Sequence, residues 1–505
     1  MPVIPLRFST DADFGAVRAL LAAHDFTDSG LCARMGVASI YDVQIRGAAH
    51  TVATSADGLD VLRQLFIDCA PVEDAVAVAH LGTDGVALLA RLGLLIHDGG
   101  TMRATMLLYP NGSLYLVSDL PPGAAPAGDG AGADAVYPAL TSSVRVFLST
   151  LPHGDGARYL ELCSGTGVAA LLAAQQGAAR AVAVDITERS TRVAEFNARL
   201  NAVALDARQG DLYDPVAGEQ FDCIVAHPPY VPAAAQQFIF RDGGADGEQI
   251  SRAIVARAPE FLAVGGILHV TCLVTARRNA PPRQRVREML GDAADAFDVA
   301  LLENGVSDQY AHFVKQLVAA SPEEVPGMLS QLRLFNSLQV ERVELVTIVA
   351  RRHGEARPGF AVATPRNADT RWPEVAWLLQ MHAFLMLGDR ALDRLLEARP
   401  RLSPHVQLDL SYRFVPADDE RWVPSGGMLT VPYPLVSKVS VDAGDAAFFA
   451  SCDGSRTFAQ IMAQLQAEGK LPADLAPRSY MTPLASLVAL GVLETDLLPF
   501  PRRSA

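Results

Sequence analysis

The stretch Tyr159-Leu-Glu-Leu-Cys-Ser-Gly-Thr-Gly-Val168 decides the fold. It reads as a buried strand that stops in a glycine turn and passes directly into an apolar helix, Val168 to Gln176. Gly165 and Gly167 carry no side chain to hold the backbone away from a ligand, and the helix that follows points its free N–H groups at that ligand. A second helix-to-strand passage leads to Ala181-Val-Ala-Val-Asp185, an apolar strand ending in one carboxylate. Asp185 stands eighteen positions past Gly167, about the spacing at which an acidic residue hydrogen-bonds a ribose hydroxyl pair. A nucleotide cradle on a parallel α/β sheet is the expectation.

Taken alone the turn is ambiguous, because Gly165-Thr-Gly167-Val-Ala-Ala170 also satisfies the relaxed pattern G-x-G-x-x-A of nicotinamide and flavin enzymes. The next segment narrows the choice. Phe221-Asp-Cys-Ile-Val-Ala226 reads as another buried strand, and its end carries His227-Pro-Pro-Tyr230. Ligands of open parallel sheets sit just outside the carboxyl ends of the strands, so this stiff turn should face the cradle across the crevice.

Together, Glu161 to Gly167, Asp185, Gly210-Asp-Leu212 and the Pro-Pro-Tyr turn resemble class I S-adenosylmethionine-dependent methyltransferases. The branch is the one with an Asn-Pro-Pro-Tyr/Phe motif, which includes the glutamine N5-methyltransferases of release factors and several amino-group nucleic-acid methyltransferases. Asp242-Gly-Gly-Ala-Asp-Gly247 and Gly265-Gly-Ile-Leu-His269 look like that branch too. The resemblance covers about residues 137 to 353, and the layout of both flanks is similar to long uncharacterised bacterial methyltransferases. It implies a Rossmann-like doubly wound sheet with S-adenosyl-L-methionine as cofactor and no metal. The cofactor set it implies is Glu161, Cys163, Gly165, Thr166, Gly167, Asp185, Ile186, Asp211, Leu212 and His227. Glu161 would close the glycine turn or touch the methionine ammonium, Asp185 would hold the ribose, and Asp211 and Leu212 would meet the adenine. A local reading of Asp185 is a helix N-cap, with Glu188 three residues on.

The turn His227-Pro-Pro-Tyr230 departs from those relatives. Their first residue is Asn or Asp, whose side-chain oxygen accepts from a planar amino or amide nitrogen. Histidine lacks the paired donor and acceptor of an amide, and its charge can change near neutral pH. The change puts glutamine-amide methylation in doubt and suits an acceptor that must lose a proton, with His227 as general base; bracing of the turn is the alternative. His227 and Tyr230 are the expected catalytic pair, and Tyr137, Pro228, Pro229 and Tyr230 the expected acceptor contacts. Tyr137 reads equally as a lid or as a packing aromatic.

A chain of 505 residues is too long for one core. The expected division is an α+β, winged-helix-like substrate-recognition domain at 1–122, a connector at 123–136, the methyltransferase domain at 137–355 with an insert at 275–330, and an α+β accessory domain at 356–505. The connector lies in Leu120-Pro-Pro-Gly-Ala-Ala-Pro-Ala-Gly-Asp-Gly-Ala-Gly-Ala-Asp134, flexible by composition. In the first domain, helices are expected over Phe14–His24, Asp60–Cys69 and 82–95, followed by strands Thr101–Tyr109 and Ser113–Val117. The insert should carry an amphipathic helix, Gln309 to Val314, that closes over the substrate or packs on a flanking domain. Past Pro358, a helix at Val375–Leu387, strands at Gly426–Val431 and Leu435–Val441, and helices at Ala446–Cys452, Thr457–Leu465 and Tyr480–Leu490 suggest a second winged-helix-like module for dimerisation or substrate capture.

Composition bounds the function. Half the residues are hydrophobic and 19% charged, as in an ordinary globular chain, and the formal net charge of −14 argues against a grip on a phosphate backbone. The three lysines are Lys315, Lys438 and Lys470, so positive charge is nearly all scattered Arg. Six cysteines form no C-x-x-C pair, which points to reduced thiols in a cytoplasm. Met1 to Phe8 lacks the features of a signal peptide, and no run of 18 uncharged apolar residues exists. Three functions are expected: methyl transfer to a nitrogen or oxygen of a small-molecule or peptide-like metabolite; methylation of a protein glutamine or an RNA base; or a non-catalytic S-adenosylmethionine binder used for regulation or interaction. A homodimer is left open.

Overall fold

Thr10, Thr27 and Asp57 each accept a backbone N–H from the residue three positions on, and each opens a helix: α1 (Asp11–Ala23), α2 (Asp28–Met35) and α3 (Gly58–Phe66). Helix α4 (Asp74–Arg91) follows β1 (Val72–Glu73) and breaks at Gly82, whose φ is +75°. The expected helix from residue 82 is therefore only its second half, and Leu95 already belongs to a strand. Strands β2 (Leu95–Asp98) and β3 (Thr101–Ala104) form a hairpin that β1 extends. β4 (Leu107–Asn111) and β5 (Leu114–Ser118) form a second hairpin. The single strand expected over Thr101–Tyr109 is thus two strands in two sheets, because the chain turns at Thr105 and buries Met106 completely.

The computed structural model describes residues 4–43, 45, 56–121, 132–233, 237–308, 311, 313, 317–318, 321–322, 325–416, 421–442, 445–472, 474 and 476–501. Most of the expected connector and the expected helix at 309–314 lie outside the described residues. Two compact units result: 1–291 with 306–348, and 292–305 with 349–505.

In the first unit, β6 (Arg158–Leu162), β7 (Arg180–Asp185), β8 (Asp206–Gln209), β9 (Phe221–Ala226) and β10 (Leu262–Arg277) pair in parallel in the order β10-β9-β6-β7-β8, with β12 (Val340–Arg352) beyond β10. The apolar runs of β6, β7 and β9 are buried on both faces, as parallel strands covered by helices must be. Helices α5 (Ser142–Ser149), α6 (Val168–Gln175), α7 (Glu188–Asn201) and α8 (Gln249–Phe261) connect and flank them. From β6 the chain winds outward through β7 to β8, then returns to the other side of β6 as β9. The crevice at the carboxyl ends of β6 and β9 is the switch point where such sheets take their ligands. The doubly wound α/β reading of this region holds.

Residues on both sides of the connector share one apolar core, in which Phe14 packs edge-on to Phe196 of α7 at 5.1 Å. Each such ring taken fully out of water contributes roughly 1.5–3 kcal/mol. Polar contacts then fix the register. Asn197 accepts from the Val117 N–H (2.8 Å) and donates to the carbonyls of Val117 (3.2 Å) and Thr166 (3.0 Å). One helical turn on, Asn201 accepts from the Tyr115 N–H and donates to its carbonyl. Two amides at i and i+4 thus pair with the outer edge of β5 as a strand would. Arg189 of α7 adds a two-pronged ion pair to Asp119, both residues only 5% exposed.

The stretch expected as an insert, 275–330, is largely regular. It contains α9 (Pro282–Met289), a short 3-10 helix and all of β11 (Phe297–Asp308). In the second unit, β11 pairs in parallel with β13 (Ala361–Pro365), from Val299↔Ala361 to Glu303↔Pro365. Buried Asp298 accepts from Arg351 and Arg357 there. Helices Trp372–Leu385, Asp389–Leu396, Phe458–Ala467 and Pro477–Ala489 pack with a two-stranded sheet, β14 (Pro400–Leu402) and β18 (Leu493–Thr495). A separate antiparallel sheet consists of β15 (Gln407–Val415), β16 (Arg421–Val431) and β17 (Ser437–Val441).

Asn197→Leu should lower the unfolding free energy by about 2–4 kcal/mol, because the buried Val117 amide and the Val117 and Thr166 carbonyls lose their partner. Denaturant melts check this; a loss within experimental error would mean that α7 and β5 are held by packing alone.

Candidate active site

The turn after β6 is built from left-handed backbone. Cys163, Gly165 and Gly167 have φ of +52°, +51° and +75°. At Gly165 an added Cβ would meet nothing within 4 Å, so the turn is open on that side. Gly167 caps α6, and a Cβ there would stand 3.1 Å from the Cβ of Ala194. The first glycine leaves room for a ligand. The second lets α6 close on α7, and it does not line the cavity, in contrast to the expectation that placed it on the ligand.

Two carboxylates hold the turn. Glu161, at the end of β6, accepts from the Ala170 N–H at 2.8 Å and also from Ala169, at the start of α6. Burial nevertheless pushes its pKa up to about 8. Both donors belong to the first turn of α6, so Glu161 anchors that helix to the end of its own strand. Asp185, at the end of β7, accepts from the N–H of Gly165 (2.9 Å) and of Thr187 (3.1 Å), and from the Thr187 hydroxyl. Burial raises its pKa too, against the pull of those hydrogen bonds. The N-cap of α7 is Thr187, which accepts from the Ser190 N–H, so Asp185 is not the cap.

A cavity of about 1140 Å³ opens over these strand ends. It is lined by every expected site residue except Gly167: Glu161, Cys163, Gly165 and Thr166 from the first turn, Asp185 and Ile186 from the second, and Asp211 and Leu212 after β8, with His227, Pro228, Pro229, Tyr230 and Tyr137 opposite. Ser164 also lines it, with a buried hydroxyl that has no hydrogen-bond partner among the described residues. Asp185 and Asp211 make this side acidic, and Glu161, largely protonated near neutral pH through its burial, adds a carboxylate once a cation lies beside it. Acidic groups, an open turn and an orphan hydroxyl fit a cationic nucleoside bearing a sulfonium and an ammonium.

The turn after β9 faces it. His227 lies flat against Phe147 of α5 (ring centroids 5.4 Å apart, 16° between planes) and tilts toward Tyr230 at 5.6 Å. Its Nε2 is buried and has no partner among the described residues. Burial pushes the imidazole pKa down from 6.5 to about 4. The expectation that its charge changes near neutral pH therefore does not hold: burial keeps the ring neutral there. Tyr230 hydrogen-bonds Ser143 on the same helix. Tyr137 is 54% exposed and stacks on Phe240 at 5.1 Å, at the rim.

Phe147, Ser164, Phe238, Phe240 and Arg241 line the cavity and were not among the expected residues. Phe147 sits on the helix expected to lie over the cofactor, and Arg241 directly precedes the quoted Asp242-Gly-Gly stretch. Both signals were present, but neither tells which side chain turns inward.

An α/β sheet with its ligand cavity at the switch point, an acidic glycine turn and a facing Pro-Pro-Tyr turn defines a class I methyltransferase domain. Residues 139–296 match the family model described as Methyltransferase small domain. A chain of Methanocaldococcus jannaschii, provisionally named a protein N5-glutamine methyltransferase, is 35% identical over 118 residues, 22% of this chain and 59% of that one. The release factor glutamine methyltransferase of Rhodospirillum rubrum is 40% identical over 135 residues, 23% of this chain and 40% of that one. The ribosomal protein uL3 glutamine methyltransferase of Bordetella pertussis is 34% identical over 124 residues, 22% and 42% of the two chains. The chain spans about half the length of the curated relatives it matches. No helix among the described residues is long and apolar enough to cross a membrane.

Asp185→Ala should weaken binding of S-adenosylhomocysteine at least tenfold and cost about 1–3 kcal/mol of stability for each backbone N–H left without an acceptor. Calorimetry and denaturant melts read the two effects, and unchanged affinity would remove Asp185 from the site. The His227 ring should stay neutral from pH 8 to about 5 in an NMR titration, assigned against His227→Gln. The unfolded imidazole takes its proton near 6.5 and the folded one near 4, so the stability this site contributes is whole above 6.5 and is lost as pH falls toward 4. An NMR midpoint between 6 and 7 would contradict the burial account.

Proposed function

We propose that this chain transfers a methyl group from S-adenosyl-L-methionine to a nitrogen, and that the acceptor is a side-chain amide of a peptide or protein, with glutamine the amide in question. The observation that carries this reading is the neutral imidazole of His227, its Nε2 without a partner among the described residues, beside the Pro228-Pro229 turn and Tyr230. An unprotonated ring nitrogen is an acceptor, as the Asn side-chain oxygen of the resembling enzymes is. Paired with a backbone carbonyl of the turn, it would take the two hydrogens of an amide NH₂ and aim the nitrogen at the methyl group. The histidine therefore does not argue against an amide once burial has kept it neutral.

The relatives named above are named for protein glutamine, which favours a macromolecular amide over the small metabolite put first on sequence grounds. The net charge of −14 weighs against the RNA-base form of that alternative.

The bound cofactor supplies an electrophilic methyl on sulfur. The acidic groups of the glycine turn and Asp185 would hold its nucleoside, with Asp211 and Leu212 at the adenine end. Alignment and exclusion of water are the remaining work, and the aromatic wall of Phe147, Tyr230, Tyr137 and Phe240 does both. An amide nitrogen that had taken the methyl would be strongly acidic and would have to give up a proton. A ring nitrogen with pKa near 4 is then base enough to receive the departing proton.

The test is transfer of labelled methyl to glutamine-containing peptides and to a lysate, with the product residue located by mass spectrometry. His227→Asn should retain transfer within about tenfold, and His227→Phe, which offers no acceptor, should lose 10²-fold or more in kcat with cofactor affinity unchanged. Transfer to a hydroxyl or thiol, or equal rates for the two variants, would overturn the amide reading.

A further inference from the structure

The second unit leaves one sheet edge open. Strand β15 pairs β16 over nine positions, from Gln407↔Thr430 to Val415↔Arg421, and no strand among the described residues pairs its other side. Eight of its nine residues are exposed. Natural edges are usually guarded by a bulge, a proline, an inward charge or a short length. β15 is long, has no proline, and is regular; the irregularity at Ser411/Tyr412 arises from an extra residue, Ser425, on β16. Leu408, Leu410, Tyr412 and Phe414 alternate along one face, 41–53% exposed, and Trp422 of β16 lies beside Phe414 at 5.5 Å.

We propose that two copies of this chain pair antiparallel through β15, with Ser411 of each on the two-fold axis, making one six-stranded sheet. The strand Gln407-Leu-Asp-Leu-Ser-Tyr-Arg-Phe-Val415 is chemically palindromic about Ser411. In that register Asp409 faces Arg413 of the partner subunit twice over, once on each side of the axis. Leu410 faces the partner's Tyr412, and Leu408 faces the partner's Phe414. Opposite charges and aromatic-aliphatic pairs directly across a ladder each stabilise it. A slip of one residue in either direction sets Asp409 against an aromatic ring and Arg413 against a leucine, and turns the apolar face of one copy onto the polar face of the other. A parallel in-register pairing sets Asp409 against itself. The charge pattern therefore selects a second copy of this chain in one register, where an unrelated strand would need to match it by chance. The surface is isologous, as a two-fold interface requires.

Sedimentation velocity of the full chain over a range of concentrations tests this. The wild type should form a dimer. Arg413→Asp and Asp409→Arg should each weaken it at least tenfold by placing like charges across the axis, and the double swap Asp409→Arg/Arg413→Asp should restore it, since each contact then runs Arg to Asp. Both side chains are exposed, so circular dichroism and melting of all three variants should match the wild type. Ser411→Cys should give a reducible covalent dimer under mild oxidation, and Val264→Cys, on an exposed residue of the first unit, should not. A monomer at every concentration, single reversals that leave the dimer intact, or a double swap no better than the singles would overturn the proposal.

Discussion

One carboxylate ties the site together. Asp185 ends β7, and its two oxygens take the Gly165 N–H from the turn after β6 and the Thr187 N–H that starts α7. Parallel strands have no hairpins to align their ends, so such a bridge fixes where the β6 turn stands relative to β7. The Gly165 turn keeps its left-handed form, α6 starts where Glu161 can receive its first N–H groups, and the cavity floor takes its shape. Holding a charge-capable group under burial costs stability, as the raised pKa values of Glu161 and Asp185 indicate. A cationic ligand would offset that cost.

The opposite wall works by the reverse logic. Burial keeps His227 neutral, and the flat face of Phe147 against it leaves Nε2 with nothing to bond among the described residues. A buried polar atom without a partner costs free energy unless a ligand supplies one. An acidic side and a neutral side with an unpaired ring nitrogen then face each other across one cavity.

Local pattern made the frame legible. Strand, turn and helix follow one another within Tyr159–Gln176, and Asp185 and His227 stand at strand ends that hydrophobic runs mark. What stayed hidden depends on distant partners. Asn197 and Asn201 read as surface polar residues of a helix until β5, some eighty residues earlier, lies beside them. The neutrality of His227 comes from its burial, in which Phe147 lies flat against it, a neighbour no spacing rule links to it. Thr101–Tyr109 looked like one strand because no glycine or proline separates its halves, and only pairing divides them. Within 275–330, Phe297-Asp-Val-Ala-Leu-Leu302 is a visible buried strand that the reading of an insert passed over. Gln407–Val415 alternates as a strand should, yet its apolar residues lie exposed.

A crystal structure of the full chain with S-adenosylhomocysteine tests the central claim most directly. The account predicts density for the ribose at Asp185 and the adenine at Asp211 and Leu212, with the sulfur facing His227 Nε2 across a gap wide enough for an amide. Density elsewhere, or an imidazole turned away from the sulfur, would contradict it.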